Sequence, residues 1–222
     1  MTTLTDLGFS KGAIVETVVS TYSADGQPNA APMGVTMENS QRMAFRIYTS
    51  ALTYRNLQAK RCAVVNVTSN PEVFYRTAFK EANPNGKLPL DWFGKAETVD
   101  APSLRGAEAH IEVAVTDMAP FDSERAEVSC DVKHIQASPA FPKVYCRAVF
   151  ATIEAVVHAT RVKVFLTHPD EQKREQALKL LETIKGYHEL VNRVAPNSRS
   201  AGIMADLTQR AEQWRVHSES LR

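Results

Sequence analysis

Runs of β-branched and apolar residues, each of strand length and bounded by turn signals, fill the first two-thirds of this 222-residue chain. Such runs cannot bury their faces singly, so they must pair into a sheet that closes or is covered. Residues 13–22, rich in Val, Ile and Thr, predict a first strand. Asp25-Gly26 follows, a hairpin signal because Gly tolerates positive φ. A second extended segment, residues 28–37, carries Pro28 and Pro32, so it is an edge strand or holds a bulge. Residues 42–48 predict a third strand, and the apolar run 62–68 a central one. Residues 108–115 and 124–135 alternate, with Ile111, Val113 and Val115 on one face of the former and Ala126, Val128, Cys130 and Val132 on one face of the latter. The turn between them is expected at residues 119–122.

Helical insertions interrupt this pattern. Thr49-Ser50 can cap a short helix over 51–60, and Asn70-Pro71 opens another over 72–80. Residues 83–91, with Asn, Gly and Pro, predict a loop, with Trp92 and Phe93 beside it. If this loop covers a ligand, catalysis is favoured; if it packs only on helices, it is not. From Phe141 the spacing turns helical, with Val149, Ile153, Val156, Val157, Thr160 and Val164 on one stripe. Pro169, Asp170 and Glu171 start a second long helix, and a last one is expected over 200–217. A boundary near residue 140 therefore separates a domain of 1–140 from a helical one of 141–222.

Composition excludes several classes. The 26 basic and 25 acidic residues leave a net charge of +1, without the basic excess of a nucleic-acid binder. No apolar run approaches the ~20 residues of a membrane span, and the N-terminus lacks the basic and apolar regions of a secretory signal. The three cysteines, Cys62, Cys130 and Cys146, are odd in number and form no C-x-x-C pair, which suits a reducing, cytoplasmic compartment. There is no G-x-G-x-x-G, no phosphate-binding G-x-x-x-x-G-K-[ST] and no G-x-S-x-G. The six histidines form no tight metal pair, so no metal site is expected. Glu154 and His158 are four apart on a predicted helix with Arg161 beyond, a spacing that serves an ion pair as readily as a ligand.

Three segments carry a signal. In residues 46–57 a strand end, a Thr-Ser pair and a helix start follow one another. Ser50 and Thr53 offer hydroxyls, Asn56 an amide, Arg46 and Arg55 guanidinium groups, and the first helical N–H groups point outward. These suit a phosphate, though simple capping accounts for the hydroxyls equally well. Ser50 and Thr53 are expected at the surface. In residues 25–35 the small residues Asn29, Ala30 and Ala31 would let a flat ring approach the backbone, unless this is only an irregular edge. In the third, Asn66 interrupts an apolar strand and needs a partner, either a ligand edge or a backbone group.

In order, these segments resemble an uncharacterised flavin-reductase-like, FMN-binding split-barrel family of archaea and methanopterin-using bacteria. The matching motifs are D-G-x-P-N-A-A-P-M-G-V at 25–35, S-x-x-T-Y-x-N at 50–56, A-V-V-N-V-T at 63–68 and E-A-x-V-H-A-T-R at 154–161. The resemblance implies an α+β, mainly β protein: a six-stranded split barrel followed by a small three-helix segment. It implies FMN at a homodimer interface. Ser50, Thr53 and Asn56 would then hold the phosphate, and Asn29, Ala30, Ala31, Met33 and Asn66 would lie near the ring, with Arg46 nearby. The expected function is that of an FMN-dependent oxidoreductase of a small molecule, pterin-related substrates being one class. The alternative is a non-catalytic flavin-binding or partner-interaction protein. No catalytic side chain is identified.

Overall fold

The computed structural model describes residues 2–138 and 146–220. These fall into two compact units, one drawn from 2–68 and 79–138, the other from 69–78 and 146–220.

The first unit holds strands β1 (Ile14–Tyr22), β2 (Pro28–Asn39), β3 (Arg42–Tyr48), β4 (Cys62–Val67), β5 (Phe93–Lys95), β6 (Pro102–Leu104), β7 (Ala109–Pro120) and β8 (Arg125–Ala137). Six of them close an antiparallel barrel in the order β1-β2-β3-β8-β7-β4, while β5 and β6 form a separate two-stranded hairpin. This is the six-stranded barrel of the α+β fold expected, but "mainly β" is corrected: the long helices of the second unit give the described residues more helix than strand. Alternation sets the interior: Ile111, Val113 and Val115 from β7 meet Val128 and Cys130 from β8, with Val19, Val35, Phe45, Ile47 and Val65. Closure rests on a short seam, where β1 and β4 pair only at Val18↔Asn66, Val19↔Val65 and Ser20↔Val64.

The β1–β2 hairpin turns at Gly26, whose φ of +81° an L side chain would strain. Beyond the turn, β2 does two things. Residues 28–34 pair with β1 alone, and pairing with β3 begins only at Val35↔Phe45. Pro28 and Pro32 lie in this one-sided stretch, where a missing ladder donor costs least. A register shift follows between Met37 and Asn39, so the strand is both an edge and bulged.

Helix α1 (Leu52–Lys60) sends Leu57, fully buried, into the barrel core. The expected turn at 119–122 is corrected: Ala119 and Pro120 still pair, with Glu127 and Ala126, and the turn lies at 121–124. The β5–β6 hairpin has strands of three residues, too short to show a period.

The second unit holds α2 (Pro71–Ala78), α3 (Arg147–Phe165), α4 (Glu171–Val194) and α5 (Arg199–Ser220). Asp170 caps α4, accepting from the Gln172 N–H at 2.9 Å, as its acids and Pro169 led one to expect. The expected start of the helical pattern at Phe141 lies outside the described residues. Contacts divide the chain differently from a single cut near 140, because α2 packs with α3 and α5. The buried Glu72 carboxylate of α2 receives Arg76 at 2.9 Å and Arg199 at 2.5 Å, and the Tyr75 hydroxyl donates to Asp206. Helix α2 also ends at Ala78 rather than 80, and Lys80 opens a 3-10 turn, Lys80–Ala82. Among the described residues no helix is long and apolar enough to cross a membrane.

Cys130 is fully buried on β8, and burial pushes its thiol up to about 12. At pH 8 a thiol reagent should therefore leave Cys130 unmodified in the native protein and label it in urea, as read by peptide mass spectrometry.

Candidate functional site

The site is built where β3 hands over to α1. Ala51 is the N-cap residue, with extended backbone, and no side chain caps the helix. The capping role expected of Thr49 and Ser50 is corrected: the Thr49 hydroxyl donates to the Glu124 carbonyl at 3.1 Å, and Ser50 is exposed with no hydrogen bond among the described residues. The positive end of the helix dipole and its first N–H groups thus face outward beside an unused hydroxyl.

The buried face of α1 carries Thr53, Asn56 and Leu57. Positions three and four apart share one face, so the anchoring of Leu57 in the core also fixes where Thr53 and Asn56 point. They point at the first hairpin. Thr21 and Asn29 sit directly opposite each other in β1 and β2. The Asn56 amide donates to the Thr21 hydroxyl and the Asn29 amide to the Thr53 hydroxyl, each at 3.0 Å. Thr53, expected at the surface, is only 2% exposed; its helix lies against the hairpin and takes it out of water.

Sequence reasoning missed Lys80. Its ammonium donates to the Asn29 Oδ1, reaching across 51 positions of sequence. No local pattern marks such a contact. Burial pushes this ammonium below the usual lysine range. Lys80 has no carboxylate partner among the described residues.

The remaining candidates separate. Ala31 and Met33 are partly exposed on the one-sided stretch of β2, and the Met33 carbonyl accepts from Thr17 at 2.9 Å. Ala30 is fully buried. Asn66 is also fully buried, and its partners are protein groups: its Nδ2 donates to Val18 O at 2.8 Å, Ser20 Oγ at 2.9 Å and Val64 O at 3.1 Å, while its Oδ1 accepts from Leu104 N at 2.8 Å. The backbone alternative describes these bonds. Arg46 is exposed on β3, pairs with Glu127 at 3.1 Å and lies 3.7 Å from the centroid of the Phe121 ring.

The segment after Lys80 runs through the turns Pro84–Gly86 and Leu90–Trp92 into the β5–β6 hairpin, which is fastened to the barrel wall. Besides the bond to Asn66, Leu104 O meets His110 Nε2 at 2.8 Å. The Glu112 carboxylate accepts from the N–H groups of Glu97 and Thr98 at 2.7 and 2.6 Å and from the Thr98 hydroxyl at 2.6 Å. Burial alone would raise the Glu112 pKa, but these donors, with His134 nearby, outweigh it and hold the carboxyl below its usual range.

In the helical unit His158 makes no hydrogen bond with Glu154 among the described residues. The His158 ring lies 5.9 Å from that of Tyr187, and its Nδ1 is buried without a partner among those residues. Burial, with a smaller push from Arg161, lowers the His158 pKa against the opposing pull of Glu154. Among the described residues no group of three or more His, Cys, Asp or Glu is placed to hold a metal ion.

A closed six-stranded antiparallel barrel with a one-sided edge strand, followed by helices, is the split-barrel architecture expected from the sequence. The chain belongs to the family described as "Protein of unknown function (DUF447)": the N-terminal domain model matches residues 15–139 and a second model residues 146–205. It is similar over 94% of its length to 99% of an FMN-bound protein of that family from Methanosarcina mazei, with 24% identity and a TM-score of 0.74. A weaker likeness covers 60% of this chain and 75% of nitrilotriacetate monooxygenase component B from Bacillus cereus, with 14% identity and a TM-score of 0.49. Another covers 57% of this chain and 72% of an FMN-binding protein from Thermus thermophilus, with 16% identity and a TM-score of 0.48.

Two outcomes follow. Asn66→Ala leaves buried donors and acceptors orphaned and should lower the unfolding free energy by about 1–3 kcal/mol or more in urea titration. For Glu112 the folded pKa is depressed, so its contribution is present above the unfolded value of about 4.3 and lost as pH falls through the lower folded one. The stability gap between wild type and Glu112→Gln, measured by thermal melts, should therefore narrow on acidification below about pH 4.

Proposed function

We propose that this chain binds FMN with the phosphate at the N-terminus of α1 and acts as a flavin-dependent oxidoreductase of a small molecule. The observation that carries the reading is the uncapped helix start, with the free Ser50 hydroxyl beside it. A dianionic phosphate matches that donor set in charge and in hydrogen-bond sense. The fold shared with an FMN-bound relative supports the same cofactor.

In this reading Ser50 and the first N–H groups of α1 bind the phosphate. Thr53 contributes a donor, because its hydroxyl accepts from Asn29 and keeps its own proton for a ligand. Asn56, bonded to Thr21, holds α1 in register with the hairpin. The one-sided edge of β2, with Ala31 and Met33 partly exposed, orients the ring and limits water on one face. Bound FMN supplies hydride chemistry that no side chain of the chain can supply. Pterin-related compounds, the class the resemblance implies, are the first substrates to try.

We also place the site at a homodimer interface. Tyr48, Leu52 and Phe121 are 39%, 43% and 40% exposed around the same end of the barrel, and a second copy would cover them. The free thiols of Cys62, Cys130 and Cys146 support a cytoplasmic setting.

The purified protein should show oxidised-flavin absorption bands, or acquire them on adding FMN. Ser50→Ala should weaken FMN binding about tenfold, the worth of one charge-assisted hydrogen bond. Its melting temperature should be unchanged, because the side chain is exposed. Unaltered affinity would remove Ser50 from the phosphate site. A protein that stays colourless and does not take up FMN would remove the cofactor reading.

A further inference from the structure

The Lys80 ammonium stands out among the charged groups of the barrel unit. It is half-buried, it is held by a neutral amide, and it has no carboxylate partner among the described residues. A cation withdrawn from water without a counter-ion is unfavourable, and an anion that paired with it would relieve that cost.

The bonds around it give a direction. An ammonium can only donate, so it dictates which end of the Asn29 amide faces it: Oδ1 toward Lys80, and therefore Nδ2 toward Thr53. The Thr53 hydroxyl consequently receives a proton from Asn29 and must direct its own elsewhere. One cation thus sets the hydrogen-bond sense of a chain that ends as a donor at the first turn of α1, beside exposed Ser50 and the uncapped N–H groups. The Thr53 hydroxyl, the Ser50 hydroxyl, the first N–H groups of α1 and the Lys80 ammonium can all donate there. A phosphate, whose unprotonated oxygens only accept, complements them.

We infer that Lys80 is the counter-ion of the phosphate group held at the N-terminus of α1, and that through Asn29 it also orients Thr53 as a phosphate donor. The inference rests on the FMN reading for the identity of the ligand, but the anion site itself can be tested apart from the flavin. An ammonium has three N–H donors, so Lys80 can keep its bond to the Asn29 carbonyl while another N–H turns to an incoming anion. Asn29 in turn keeps its bond to Thr53.

The experiment compares wild type, Lys80→Met and Lys80→Arg. Met keeps the apolar stem and removes the charge; relief of the unpaired cation offsets the loss of its bond to Asn29, so the ligand-free variant should melt close to the wild-type temperature. That outcome shows the fold to be intact. Affinities for FMN and for riboflavin are measured by fluorescence quenching, and stabilisation by inorganic pyrophosphate by thermal shift. Lys80→Met should weaken FMN binding by about ten- to a hundredfold, the loss of a partly desolvated charge pair. It should leave riboflavin affinity unchanged and abolish the pyrophosphate shift, with Lys80→Arg retaining part of both. Equal weakening of FMN and riboflavin would overturn the assignment in favour of a ring contact. Unchanged FMN affinity in the Met variant would overturn it outright. If wild type ignores FMN yet responds to pyrophosphate in a Lys80-dependent way, the anion site stands and the flavin reading falls. If wild type responds to neither, both fall.

Discussion

The seam between β1 and β4 is the constraint on which this structure depends. Three residue pairs close the barrel there, fewer than at any other joint of its wall. Asn66 makes so short a seam hold. Its amide ties β4 to the Val18 carbonyl and the Ser20 hydroxyl of β1, and through Leu104 it also ties down the β5–β6 hairpin. A buried polar residue in an otherwise apolar strand is tolerated because all of these bonds are satisfied together. With β1 fixed by the seam, β2 can follow it well past its last pair with β3, Val35↔Phe45, and leave one side open. The candidate site lies along that open side.

From the seam to the site the linkage is mechanical. Leu57 plugs the core and sets the rotation of α1; α1 places Thr53 and Asn56; and those two meet cross-strand neighbours of the first hairpin. No element of the site depends on a long unsupported loop. Thr53 is held in place by the fold for structural reasons, so it needs little ordering when a ligand arrives.

Much of the barrel was legible because its signals are local. Alternation along β7 and β8 marked Ile111, Val113, Val128 and Cys130 as interior, and two prolines marked β2 as an irregular edge. The site was legible in its residue types but not in their partners. Ser50 looked like a cap, yet the chain enters the helix one residue later, at Ala51, and frees the hydroxyl. Thr53 looked exposed because nothing near it in sequence reveals the hairpin that covers it. Asn66 announced that it needed partners without saying which. Lys80 was invisible, since its meaning comes entirely from Asn29, 51 positions away. The β5–β6 hairpin has too few residues to show a period at all.

Helix α2 interrupts the barrel sequence yet belongs physically with α3 and α5. The two matched family segments divide instead between residues 139 and 146, and they leave α2 in the first of them. The chain therefore visits the helical unit twice, once briefly and once to its end. Exchange of residues 146–220 between relatives would move three helices and strand a fourth, with its buried Glu72 deprived of Arg199. Such a chain cannot be shuffled as two beads on a string. A change at Arg199 in α5 is therefore felt at Glu72, in a segment more than a hundred residues upstream.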